Sequence, residues 1–141
     1  MKRERVLLLA ALPVLMAAVL AMISVTADAQ VFSKEVTVGE LVANPSQYDQ
    51  KNVTVNAYAF IVRQKKDRGG NPFILVSIFD PRDRKKVITA FGPGSTQARN
   101  GDMIKLTGKF KARSKRGRYT YDNEIETTGD KVVVTAKGTG P

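Results

Sequence analysis

The sequence predicts a mainly β protein, a small five-stranded closed barrel with one short N-terminal helix, preceded by a signal peptide. Three observations lead there. From Asn52 onward the apolar residues recur with period two, in segments separated by Gly, Asn, Asp and Pro. One capping-box motif, Thr37-Val38-Gly39-Glu40, marks a helix start before the first strand. The first 29 residues place a basic start, an apolar run and small residues in the order of an export signal.

In that signal, Lys2, Arg3 and Arg5 precede a run from Val6 to Val25 that is apolar apart from Ser24, and Ala27-Asp28-Ala29 supplies the small-x-small pattern a signal peptidase needs. The expected division is 1–29 signal peptide, 30–135 barrel domain and 136–141 flexible Gly-rich tail. A retained membrane anchor is the alternative, because an apolar run of about twenty residues would also span a bilayer. Pro13 within the run and the cleavage pattern favour removal. The expected location is therefore periplasmic or secreted. With no Cys anywhere, the exported domain must be held by its core alone.

In the mature part, Leu41, Val42 and Ala43 extend the capped helix and Asn44 before Pro45 ends or kinks it, with Tyr48 packed behind the turn. Val53, Val55, Ala57, Ala59 and Ile61 form the apolar face of a long first strand, out of phase with Tyr58 and Phe60. After a turn at 67–72, the run Phe73 to Phe79 is apolar nearly throughout, so both its faces are expected to be covered. Asp80 to Asp83 turns into a third strand, Val87 to Phe91, which Gly92-Pro93-Gly94 interrupts. Asn100-Gly101-Asp102 turns into the fourth strand, with Ile104, Leu106, Gly108 and Phe110 on one face and Lys105, Lys109, Lys111 and Arg113 on the other. A basic hairpin, Ser114 to Arg118, leads to a fifth strand through Ile125, and Val132 to Thr135 adds a short last one. The five main strands are expected in meander order.

The segments "TVGELVANPSQYD", "KNVTVNAYAF" and "NGDMIKLTGKF" together resemble bacterial exported OB-fold proteins of the tRNA-anticodon-binding-like group, over Thr37 to about Thr128. The resemblance implies an OB-like barrel whose ligand groove lies between the loop joining strands one and two and the loop joining strands four and five. It also implies single-stranded nucleic acid as the ligand. The connection Gly92 to Arg99 is too short for the helix many OB folds place there, so the leading helix is expected to plug the barrel instead.

Charge points the same way. The chain carries +10, and the first 29 residues hold three cations and two anions, so the remainder keeps +9. Such an excess concentrates anionic partners. From Met103 to Tyr121 there are seven Lys or Arg residues and no acidic one. With Arg63, Lys65, Lys66 and Arg68 in the first hairpin, the candidate polyanion-binding residues are these four together with Lys109, Lys111, Arg113, Lys115, Arg116, Arg118 and the stacking candidate Tyr119. A further cluster, Arg82, Arg84, Lys85 and Lys86, lies away from this groove. Glu124 and Glu126 share a strand face beside the lysines, where cross-strand ion pairing accounts for them.

The absence of His and Cys removes ordinary zinc, haem and copper ligand sets, thiol nucleophiles and imidazole bases. No catalytic residue set, metal or cofactor is expected. The function expected is an exported, non-enzymatic binding module for an anionic polymer, with single-stranded DNA or RNA favoured. The alternative is a cell-envelope protein whose basic surface holds anionic lipid, acidic glycan or an acidic protein. Mass spectrometry of the exported protein should find Gln30 at its N-terminus; an intact Met1 in the membrane fraction would mean that Val6 to Val25 is an anchor.

Overall fold

A computed structural model describes residues 32–138; the expected signal peptide and the last residues of the tail lie outside them. Seven strands and two short helices follow one another: β1 (Lys34–Glu35), α1 (Val38–Ala43), α2 (Pro45–Tyr48), β2 (Asn52–Lys66), β3 (Pro72–Asp80), β4 (Asp83–Pro93), β5 (Met103–Arg116), β6 (Tyr119–Glu126) and β7 (Val132–Ala136). The protein is mainly β, and five of the strands close into an OB-like barrel.

The capping box forms as the sequence implies. Glu40 N–H donates to the Thr37 hydroxyl at 3.0 Å, and Thr37 N–H donates to the Glu40 carboxylate at 2.8 Å. Where one helix was expected there are two, because Asn44 breaks the first and Pro45 opens the second, the position at which proline lacks no needed donor. Val38 and Leu41 of α1 are fully buried, and Tyr48 of α2 is buried behind them. They join a core made by Val53, Val55, Ala57 and Ala59 of β2, Ile74, Val76 and Ile78 of β3, and Ile104, Leu106 and Phe110 of β5. The inward face expected of β5 is the one observed.

Strand order departs from a meander. β2 pairs with β3 and β3 with β4, each antiparallel, but β5 turns back to pair with β2, from Asn52↔Lys109 to Tyr58↔Met103. That leaves β6 to fill the space between β5 and β4, antiparallel to the first and parallel to the second through Thr89↔Glu124 and Phe91↔Glu126. The reason is the connection 94–102, which carries the chain across the barrel end instead of into a hairpin. It is pinned to β2 by Gln64, whose amide bonds both backbone groups of Thr96 at 2.9 and 3.1 Å. At its far end Asp102 accepts from Gly138 N–H and Arg99 N–H, which hold its carboxyl below the usual range.

Two glycines admit β6. A β-carbon on Gly92 of β4 would fall on the carbonyl oxygen of Thr127, and one on Gly108 of β5 would overlap that of Glu126. Close backbone approach of this kind tolerates no side chain. Gly92→Ala and Gly108→Ala should each cost at least about 3 kcal/mol in urea denaturation. Gly70→Ala, with open space around a φ of 82°, should cost only about 1–2 kcal/mol for left-handed backbone. Equal midpoints for all three would show that β6 can close the barrel without this approach.

Candidate nucleic-acid interface

The outer wall of β2, β3 and β4 is not covered as the apolar run suggested. Ile74, Val76 and Ile78 point into the core, while Phe73, Leu75 and Ser77 are half-buried on the outside. Cross-strand register puts Lys65 opposite Phe73 and Arg63 opposite Leu75 on one side, and Pro93 and Phe91 opposite the same two residues on the other. Residues facing one another across a ladder share a face. The wall therefore carries cations on β2 and aromatic rings on β3 and β4.

Phe73 and Phe91 pack in a tilted arrangement, 5.6 Å between ring centroids. The Arg116 guanidinium lies 3.9 Å from the Phe91 ring centroid and 4.3 Å from that of Tyr121. A continuous row of contacts thus joins the hairpin between β2 and β3, through Phe73, Phe91 and Arg116, to the hairpin between β5 and β6. Between β4 and the second hairpin lies a pocket of about 270 Å³, lined by Phe91, Pro93, Ser114, Lys115 and Arg116 among others.

The eleven residues singled out in the sequence separate into two sets here. Three cations are engaged by β6, because its antiparallel pairing with β5 brings its carboxylates against that strand. Lys111 pairs with Glu126, Arg113 with Asp122 at 3.2 Å, and Arg116 forks onto Glu124 at 2.5 and 2.9 Å. The Glu124 side chain is only 3% exposed, and Arg116 is its cation. Glu124 and Glu126 thus do pair across the strands. The basic stripe of β5, which has no acidic residue within its own segment, is partly neutralised from the next strand.

Arg63, Lys65, Lys66, Arg68, Lys109, Lys115 and Arg118 have no carboxylate within 4.0 Å among the described residues. Four of them surround the turn at 67–71, where Asp67 is occupied by the N–H groups of Gly69 and Asn71 at 2.8 and 2.9 Å. Those bonds, Asn71 foremost, hold its carboxyl below the usual range. At the other hairpin the left-handed Gly117 makes the tight turn, and Tyr119 stands 57% exposed with the Arg118 guanidinium 5.4 Å from its ring.

Phe73 and Phe91 were not among the residues expected at the site. Ser77 was the available signal. A hydroxyl at an odd position of an otherwise apolar run marks the face holding Phe73, Leu75 and Ser77 as the one nearer water.

The fold and site together define the class: an OB-like barrel with a cationic, aromatic-lined outer wall between two hairpins. No family model and no curated protein sequence matches the chain. Among solved structures it is similar to a lipoprotein of Klebsiella pneumoniae subsp. pneumoniae to which nucleic-acid binding is ascribed. The two share 18% identity with a TM-score of 0.49 over 67% of this chain and 87% of the other.

Arg116→Gln should lower stability by about 1–3 kcal/mol in urea denaturation, since it leaves the buried Glu124 carboxylate without its charged donor. Arg118→Gln should change it by less than about 0.5 kcal/mol. Equal effects would show that Arg116 is no more structural than a surface cation.

Proposed function

We propose that this protein is an exported, non-enzymatic binding module that holds single-stranded nucleic acid against the outer wall of its barrel. The observation that carries the proposal is the wall itself. Half-buried rings at Phe73 and Phe91 lie between two hairpins in which Arg63, Lys65, Lys66 and Arg68 on the first and Lys115 and Arg118 on the second have no carboxylate partner among the described residues. Single strands need both elements: cations that follow the phosphates and rings on which bases stack with little regard to sequence.

Each residue then has a distinct task. Arg63, Lys65, Lys66 and Arg68 hold phosphates at one side, and Lys109, Lys115 and Arg118 at the other. Tyr119 offers an exposed face for stacking. Arg116 does not serve as a phosphate contact, because its guanidinium is spent on Glu124, Phe91 and Tyr121. It holds the second hairpin against β4 and so sets the width of the groove. Export follows from the N-terminal sequence.

Salt dependence separates the contributions. Affinity for single-stranded DNA should fall with salt at a slope of about −0.7 per phosphate contacted, because each contact releases condensed counterion. Changing Lys65 and Arg118 together to Gln should flatten the slope by about one to one and a half units. Tyr119→Ala should instead lower affinity by about 1–3 kcal/mol with the slope unchanged. Loss of affinity in the Lys65/Arg118 variant with none at Tyr119, together with equal binding to phosphatidylglycerol vesicles, would sink the nucleic-acid function and favour an envelope lipid surface.

A further inference from the structure

The cluster Arg82, Arg84, Lys85 and Lys86 lies at the turn between β3 and β4, the opposite end of β3 from the hairpin that joins it to β2. β3 has nine residues, so the two ends of the wall are about 30 Å apart. Arg82, Arg84 and Lys85 are exposed and have no carboxylate within 4.0 Å among the described residues. The two acidic residues of the turn are otherwise engaged. Asp80 accepts from Gly39 N–H and Arg82 N–H at 2.9 and 2.8 Å, and Asp83 accepts from Lys85 N–H at 3.0 Å.

Along β3 and β4, what lies between the two basic ends is uncharged. With Ile88 and Ala90 buried, Lys85, Val87, Thr89 and Phe91 share the outer face of β4, beside Phe79, Ser77, Leu75 and Phe73 of β3. None of these residues of β3 and β4 is acidic; Glu124 and Glu126 of β6 register beside Thr89 and Phe91, where Arg116 and Lys111 pair with them. The far half of the wall also has half-buried rings, Tyr58 and Phe60, which pack at 5.4 and 5.9 Å against the buried Phe79.

We propose that the β3–β4 turn, through Arg82, Arg84 and Lys85, is a second phosphate-contacting site, so that a long single strand runs the length of the wall from one basic end to the other. This rests on the function proposed above and adds the extent and direction of the bound strand. Nucleic acid is favoured over a bilayer because two cationic ends separated by a ring-lined wall match a chain of spaced phosphates. A membrane surface would call for apolar side chains free to insert, and at this end only Val87, 42% exposed, offers one.

Length is the test. A strand of about four nucleotides spans roughly 10 Å at the stacked spacing, and even doubled by stretching it cannot reach both ends; one of about sixteen can. Protein purified after expression of the full-length gene is titrated with oligothymidylates of these two lengths at low and high salt. The Arg82→Gln/Arg84→Gln/Lys85→Gln variant should bind the longer strand at least about tenfold more weakly, with a salt slope flatter by about two units. Its affinity for the short strand should stay within about twofold. In the unchanged protein the amide resonances of 82–87 should shift with the longer strand and not with the short one, a readout independent of any variant.

An unchanged affinity for the longer strand, or no shift at 82–87, would overturn the second site. If Lys65→Gln/Arg118→Gln still weakened both strands, the groove itself would survive that result. Equal weakening of both strands by the triple variant would likewise overturn it, as a general charge effect. Loss of phosphatidylglycerol-vesicle binding alone would reassign the turn to lipid. Failure of the unchanged protein to bind either strand would overturn the groove and the second site together.

Discussion

The backbone of Glu126 and Thr127 passes close against β4 and β5 at two positions that have no side chain, Gly92 and Gly108, and the barrel depends on that approach. Thr127 N–H donates to the Phe91 carbonyl at 3.0 Å, and its hydroxyl donates to the Thr107 carbonyl at 2.6 Å, so one residue ties both neighbours. With β6 seated there, five strands close and leave no open edge between β4 and β5. An unpaired edge at that place would expose a row of backbone donors and acceptors.

The antiparallel pairing of β6 with β5 also decides the charge of the surface. Asp122, Glu124 and Glu126 arrive opposite Arg113, Lys111 and Lys109 of β5, in the register that a hairpin at Gly117 enforces. Exposed pairs such as Arg113–Asp122 contribute little, of the order of 0–1 kcal/mol. The Arg116–Glu124 pair differs because its carboxylate is buried, and a buried charge that loses its partner is costly. The protein thus uses some of its excess cations to hold the second hairpin on Phe91, and keeps the rest outside.

The short helices serve the same barrel from its other end. Val38 and Leu41 of α1 fill the core, and Asp80 accepts the Gly39 N–H at 2.9 Å, joining the start of the helix to the end of β3. The turn that bears the second basic cluster is therefore tied to α1 by a hydrogen bond that its first residue accepts.

Local patterns were sufficient for much of this. The alternation of Ile104, Leu106, Gly108 and Phe110 places the core face of β5, and the spacing of Thr37 and Glu40 starts α1, because both signals depend only on neighbours in the chain. The basic residues of the two hairpins are also evident in the sequence. Three things depended on residues far apart in the chain. Strand order was one: nothing local tells β6 to pair in parallel with β4, and the place is made by Gly92 and Gly108 facing Thr127 and Glu126. The second was which cations remain unpaired, since Lys111, Arg113 and Arg116 meet their carboxylates only across strands. The third was the ring-lined wall, because an apolar run such as Phe73 to Phe79 has the same composition whether one face or both are covered. Composition and periodicity determine which side chains can be buried; the packing partner on the other face, supplied by distant sequence, decides which of them are.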